Sequence, residues 1–390
     1  MIDYGKLLSK RACSLRPSGI RKFFDLLSTM DDVISLTVGQ PDFVTPWHIR
    51  EAAIESLERG RTYYTGNAGT IELRRGIADY LHRRFSLTYK PESEIIVTVG
   101  GSEAIDMAIR ALVDPGDEVI VPIPSFVCYG PLVTMAGGVP VYLETRAEDR
   151  FKLTPERLRA AITERTKLLV LPYPNNPTGA IMTREELLAI ADVLRGTNIA
   201  VLSDEIYAEL TYGREHVSIA TLPDMWERTV IASGFSKSYA MTGWRLGYIA
   251  APEPMAQQML KLHQYGIMCA PTVSQFAALE AINNGDEDIA MMREEYDRRR
   301  AFLLAGLNEL GLPCFPAEGA FYVYPYIGGF GLSSEEFCER LLHEGRCAIV
   351  PGTAFGDAGE GYARISYAYS MRHLEEALER IGAFLDGLKK

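Results

Sequence analysis

Seven short runs of β-branched and other apolar residues punctuate the first two thirds of the chain: IIVTVG (95–100), EVIVPI (118–123), VPVYLE (139–144), KLLVLPY (167–173), IAVLSD (199–204), TVIASG (229–234) and LGYIA (246–250). Each is near-continuously apolar, which predicts strands covered on both faces rather than strands with one wet side. Between them the pattern switches to a helical period. In ELRRGIADYLHRRF (72–85), Leu73, Ile77, Tyr80, Leu81 and Phe85 share one face and arginines occupy the other, so this helix is expected to pack against the sheet. Thr183 and Glu186 have the spacing of a capping box and Gly196 stands as a stop, predicting a crossover helix over 184–195; Ser333 and Glu336 open another helix in the same way. Strands alternating with helices specify an α/β domain with a seven-stranded, mostly parallel sheet.

The strand pattern ends near 252. A long helical region over about 272–310 is interrupted at NNGDED (283–288), and the domain boundary is placed there. Residues 48–285 are read as a large domain. Residues 1–47 and 286–390 are read as a smaller α+β domain holding the apolar runs FYVYPY and ARISYA and two helices.

Composition narrows the function classes. A chain of 390 residues, 47% apolar and 23% charged, can bury one large core and a second smaller one, so disorder is not expected. The net charge of -11, with basic residues scattered, offers no footprint for nucleic acid. No apolar run approaches the roughly 20 residues that span a bilayer. The N-terminal MIDYGKLLSKRA lacks a signal-peptide pattern, so no membrane association and a cytoplasmic location are expected. Cys13, Cys128, Cys269, Cys314, Cys338 and Cys347 form no C-x-x-C pair, and the six histidines show no ligand spacing; no metal site is expected.

Four segments carry chemistry. Lys237 follows the run 229–234 in SGFSKSYAMTGWRLGY, with no other charge before Arg245. An apolar, serine-flanked setting disfavours the ammonium form, giving an amine able to act as nucleophile and then as base. Arg245 is then placed to neutralise a phosphate. In VTVGGSEAI a strand ends at Val99 and a helix starts near Glu103, so Gly100, Gly101 and Ser102 offer N–H groups at a helix N-terminus, a phosphate cradle. Neither the G-x-G-x-x-G fingerprint nor a Walker G-K-[ST] is present. LPYPNNPTG (171–179) is a loop directly after a strand, where ligands gather on open α/β sheets. Asp204 ends the apolar strand of VLSDEIY (201–207), a position costly for a carboxylate without a cation; a protonated pyridine nitrogen is such a cation.

Taken in order, SLTVGQPDF (35–43), YYTGNAGTIELR (63–74), VTVGGSEAI, NNPTG, SDEIY, FSKSYAMTGWRLG, EGAFYVYP (318–325) and ARISYA (363–368) resemble the signature blocks of the class I/II aminotransferases, over essentially the whole chain. The resemblance implies the fold-type I transferase architecture and pyridoxal 5′-phosphate as cofactor. It makes Lys237 the Schiff-base lysine, Asp204 the partner of the pyridine nitrogen, and Tyr207 and Asn176 donors to the ring hydroxyl. Gly101, Ser102 and Arg245 become phosphate ligands. Phe126 stands where many relatives stack a Trp or Tyr on the ring, so stacking survives and a polar handle is lost. Gly234 stands where some relatives carry a phosphate-binding Ser, with Ser236 as the substitute. Arg364 is the arginine that grips the substrate α-carboxylate, with Gly39 and Asn176 beside it. Tyr64 would reach the phosphate of a neighbouring subunit's cofactor, implying a homodimer with shared sites. The implied reaction is ping-pong transfer of an amino group between an amino acid and a 2-oxo acid, with Lys237, Asp204 and Tyr207 catalytic.

At finer grain, SGIRKFFDLLSTMDDVISLTVGQPDF, HQYGIMC and LPYPNNPTG look most like the bacterial N-acetyl-LL-diaminopimelate aminotransferases of lysine biosynthesis, which pair that donor with 2-oxoglutarate. Aspartate and aromatic amino acid aminotransferases are rivals, because loops build the side-chain pocket. Arg21 and Tyr265 are candidates for that pocket; Arg21 reads at least as well as an exposed helix-start arginine, and Tyr265 reads as packing before ligand. A C–S β-lyase on the same scaffold would use the same lysine, aspartate and arginine. The cofactor-binding module of a transcription regulator would need an attached helix-turn-helix domain, for which the sequence leaves no room.

Overall fold

A computed structural model describes residues 2–15, 17, 30 and 32–388; the pocket candidate Arg21 lies outside the described residues. The strands, in chain order, are β1 (Ile34–Ser35), β2 (Ile95–Thr98), β3 (Glu118–Ile123), β4 (Val139–Glu144), β5 (Thr166–Leu171), β6 (Ala200–Asp204), β7 (Thr229–Gly234), β8 (Gly247–Ala250), β9 (Tyr322–Val323), β10 (Cys347–Ala348), β11 (Val350–Pro351) and β12 (Ala363–Ser366). The seven apolar runs are β2 to β8, joined in one sheet of order β2-β8-β7-β6-β5-β3-β4. β8 runs antiparallel to both neighbours and the other pairings are parallel. Helices cover the inner strands on both faces, and every residue of β6 and β7 is buried. β4 departs from the expected two-faced burial: as an edge strand it leaves Val139 and Tyr142 exposed.

The helix Ile71–Phe85 buries Leu73, Ile77, Tyr80 and Leu81, with Phe85 only partly covered at its end. In Arg184–Leu194 both halves of the capping box form between Thr183 and Glu186. At Ser333 only the forward half does: its hydroxyl accepts from the Glu336 N–H at 3.2 Å. The helical region after 271 divides at Gly285 into Thr272–Asn284 and Asp286–Glu309. A Cβ at Gly285 would lie 2.7 Å from the Tyr239 ring, so the close approach there requires glycine. His48 bridges the junction, with Nδ1 2.8 Å from Glu280 and Nε2 2.9 Å from Asp288.

Downstream, β11, β12 and β9 form an antiparallel three-stranded sheet, while β1 pairs in parallel with β10. The core around these strands, with Leu36, Phe321, Leu341, Ile365 and Ile381, also takes in Tyr207 and Leu210 from the segment after β6. That shared packing brings the C-terminal ends of β6 and β7 against β9 and β12. Among the described residues, no helix is long and apolar enough to cross a membrane, and no group of three or more His, Cys, Asp or Glu side chains could hold a metal ion.

Candidate active site

A cavity of about 360 Å³ opens where those elements meet, within the usual size of a small-molecule site. Its wall includes Gly39, Gly101, Ser102, Phe126, Asn176, Asp204, Tyr207, Ser236, Lys237, Arg245 and Arg364. Tyr64 is not among them: it is 78% exposed, on the outer surface of this chain. Tyr265 is likewise 88% exposed rather than packed or in the cavity.

The turn after β7 carries Lys237 into the cavity. Its Nζ donates to the Gly39 carbonyl at 2.5 Å and lies 5.9 Å from the centre of the Tyr207 ring. Burial, reinforced by the positive charges of Arg364 and Arg245 and opposed by Asp204, brings the Lys237 amine down to about 8. A charged side chain buried beside two other cations gives up its proton readily.

Asp204, at the C-terminal end of β6, is buried. Its Oδ2 accepts from the Tyr129 hydroxyl at 2.6 Å and its Oδ1 from the Ile206 N–H at 3.2 Å. Burial pushes its carboxyl up, and these two donors work against that rise. A cation placed beside it would favour the charged form further.

The helix Gly100–Leu112 begins earlier than the start near Glu103 expected from the sequence; the Val99 side chain gives its first turn no cap, and the Val99 N–H donates to Glu103 Oε2. Gly100 has φ +75, and a Cβ there would meet the Arg245 guanidinium at 2.8 Å. A Cβ at Gly247 would lie 2.6 Å from the Gly100 carbonyl carbon, so β8 can pass under the helix start only as glycine. Arg245 itself adopts φ +51, a conformation that costs a non-glycine residue about 1–3 kcal/mol and recurs at functional sites. The same crowding explains Gly234: a Cβ there would sit 2.8 Å from Gly247 Cα, leaving no room for the serine found in some relatives. Ser236 lines the cavity instead.

Arg364, on β12, is buried. Its Nη1 donates to Asn176 Oδ1 at 3.0 Å, its Nη2 donates to the Thr37 carbonyl, and its plane lies 4.6 Å from the Tyr322 ring centre and 4.8 Å from that of Phe355. Its Nε–H is buried without a partner. Buried donors are rarely left unpaired, so this edge is suited to an anion.

These features fit pyridoxal 5′-phosphate. A helix N-terminus whose N-cap residue Val99 offers no side-chain acceptor, flanked by Ser102 and Arg245, suits the phosphate; a buried carboxylate suits the ring nitrogen; a half-buried amine near 8 suits the aldehyde. Sequence reasoning missed Tyr129 and Tyr322. Both are tyrosines among many, and nothing local distinguishes a cavity wall from a core position.

Comparison with known proteins agrees. The family described as "Aminotransferase class I and II" matches residues 31–381. A Bacillus subtilis relative named as an aminotransferase, YugH, is 55% identical over 97% of this chain and 98% of its own. A second Bacillus subtilis relative, assigned as an N-acetyl-LL-diaminopimelate aminotransferase, is 47% identical over 98% of this chain and 96% of its own. The solved structure of Thermus thermophilus aspartate aminotransferase with maleate superposes with a TM-score of 0.92 at 42% identity, over 97% of this chain and 99% of that one. The chain therefore belongs to the class I and II aminotransferases, enzymes of fold-type I that use pyridoxal 5′-phosphate.

Proposed function

We propose that this aminotransferase takes its amino group from N-acetyl-LL-diaminopimelate and passes it to 2-oxoglutarate, a step in lysine biosynthesis, working as a cytoplasmic homodimer. The observation that carries the transfer reading is the half-buried Lys237 amine, which shares one cavity with Asp204 and Arg364. The donor reading is supported by the 47% identical relative assigned to that substrate.

When bound, the cofactor supplies an aldehyde to receive the amino group and a protonated ring to withdraw electrons from the substrate Cα. Lys237 would hold it, and Asp204, oriented by Tyr129, would keep the ring nitrogen protonated. Tyr207 and Asn176 would donate to the ring hydroxyl, and Phe126 would stack on the ring. Gly101, Ser102, Ser236 and Arg245 would hold the phosphate. Arg364 and Gly39 would fix the α-carboxylate, which aims the Cα–H bond at Lys237 Nζ. The Lys237 amine would take up that proton and give it up again within the same half-reaction, and would return a proton to Cα in the reverse half-reaction. In this reading residues 48–285 bind the cofactor, and 1–47 with 286–390 bring Arg364 to the substrate. Tyr64 and its neighbour Tyr63, both exposed, would meet a second copy and complete its site.

The test is an absorption spectrum of the holoenzyme followed as single donors are added. N-acetyl-LL-diaminopimelate should convert the cofactor band fastest. Aspartate converting it fastest would favour a second reading, consistent with the Thermus thermophilus likeness. Pyruvate and ammonia from cystathionine would replace transfer by β-elimination, and no conversion by any amino acid would overturn the transfer reading.

The lowered Lys237 amine sets a pH dependence. Only the neutral amine can attack the cofactor aldehyde, so capture of pyridoxal 5′-phosphate by the apoprotein should accelerate about tenfold per pH unit below 8. It should level off above about 8. Stopped-flow absorbance across pH 6–10 checks this, and a rate still climbing at about pH 10 would show an amine with its ordinary solution affinity for protons.

A further inference from the structure

We infer that Tyr322 is a positioning residue for this reaction: its hydroxyl donates to the Tyr207 oxygen and so leaves the Tyr207 proton free to point into the cavity. The inference rests on the reading of Tyr207 as a donor to the cofactor ring oxygen and adds the residue whose bond orients and strengthens that donation.

Tyr322, on β9, is fully buried yet lines the cavity. Its hydroxyl oxygen lies 2.9 Å from that of Tyr207, and either could be the donor. Each phenol has one proton, and one oxygen–oxygen contact consumes one proton. If Tyr207 gave its proton to Tyr322, it would present only lone pairs to the cavity and could not donate to a ring oxygen. If Tyr322 gives its proton, Tyr207 keeps its own, and accepting a bond makes its O–H a stronger donor.

The surroundings select the second arrangement. The Arg364 guanidinium lies 4.6 Å from the Tyr322 ring centre, closer than Lys237 Nζ at 5.9 Å from that of Tyr207, and the nearer cation makes the Tyr322 O–H the more acidic of the pair. Burial raises both phenols, so both stay protonated; the charge of Arg364 opposes the rise at both, yet Tyr207 is still pushed well above its ordinary range. The hydroxyl also has a place made for it: a Cβ at residue 39 would sit 2.5 Å from the Tyr322 oxygen, so Gly39 admits it. Packing alone asks for no such oxygen. The neighbouring Phe321 already meets the Tyr207 ring edge-on, with centres 5.5 Å apart.

Tyr322→Phe keeps the ring and deletes the hydroxyl. In the holoenzyme, the pH midpoint of the cofactor's visible absorption change should rise by about 0.1 to 0.3 of a unit, because Tyr207 keeps its bond to the ring oxygen and loses only its strengthening. Tyr207→Phe should raise it at least as far, and the double variant no further than Tyr207→Phe alone. An unmoved midpoint in Tyr322→Phe, with Tyr207→Phe shifted, would overturn the inference alone and reduce Tyr322 to packing. Additive shifts in the double variant would overturn it too, since Tyr322 would then act by a route around Tyr207. An unmoved midpoint in Tyr207→Phe would instead sink the reading of Tyr207, and the inference with it.

Discussion

Lys237→Ala should lower turnover with every amino donor by about four orders of magnitude or more, because one substitution removes both the group that holds the cofactor and the base that moves the Cα proton. Alanine leaves no other lysine on the cavity wall to replace the lost amine. The fold should survive. Burial holds the Lys237 amine near 8, below its ordinary 10.5. The unfolded chain therefore binds this proton more tightly than the folded one, and the side chain costs stability at neutral pH. The apoprotein should gain stability as pH rises from about 8 toward 10.5, and the alanine variant should lack that gain. Steady-state transamination and urea unfolding of the apoprotein at pH 7 and 10 check both halves. A variant transaminating at a near-native rate would end the assignment of Lys237.

How legible the molecule is in its sequence follows from what burial demands. Strands covered on two faces must be apolar throughout, so β2, β3 and β5 to β8 stand out as runs; β4 shares the composition but is left partly uncovered at its edge, whereas β2 at the opposite edge is buried throughout, and nothing in VPVYLE separates the two cases. Lys237 and Asp204 are legible because a charge at the end of an apolar strand is expensive unless used. Tyr129 and Tyr322 are not, since a tyrosine pays little to enter a core and its hydroxyl partner lies far away in sequence: Tyr129 with Asp204, Tyr322 with Tyr207. Gly234 shows the opposite limit. Along the chain it reads as a missing serine, and only the close approach of Gly247 Cα and the Leu246 carbonyl shows why no side chain can stand there. The bond from Lys237 Nζ to the Gly39 carbonyl joins residues 198 apart, a relation no local pattern contains.

Arg364→Lys should reduce kcat/KM for amino acids by about a hundredfold to a thousandfold while leaving cofactor binding intact. The charge is kept, so the loss measures geometry. Arginine here lies between the Tyr322 and Phe355 rings, spends one N–H on Asn176 and one on the Thr37 carbonyl, and still has Nε–H to offer on a buried edge. A lysine ammonium has no plane to stack and no paired donors on one edge, and it would leave the Asn176 and Thr37 oxygens short of a partner. Both half-reactions should suffer alike, because amino acid and 2-oxo acid present the same carboxylate. The diagnostic is the ratio of kcat/KM for an amino acid to that for the amine lacking its carboxylate. In the native enzyme the ratio should be large, and in the lysine variant it should collapse mainly through the numerator. A ratio preserved in Arg364→Lys would mean that the α-carboxylate is held elsewhere, and Arg364 would then be a strut between β12 and the Asn176 loop.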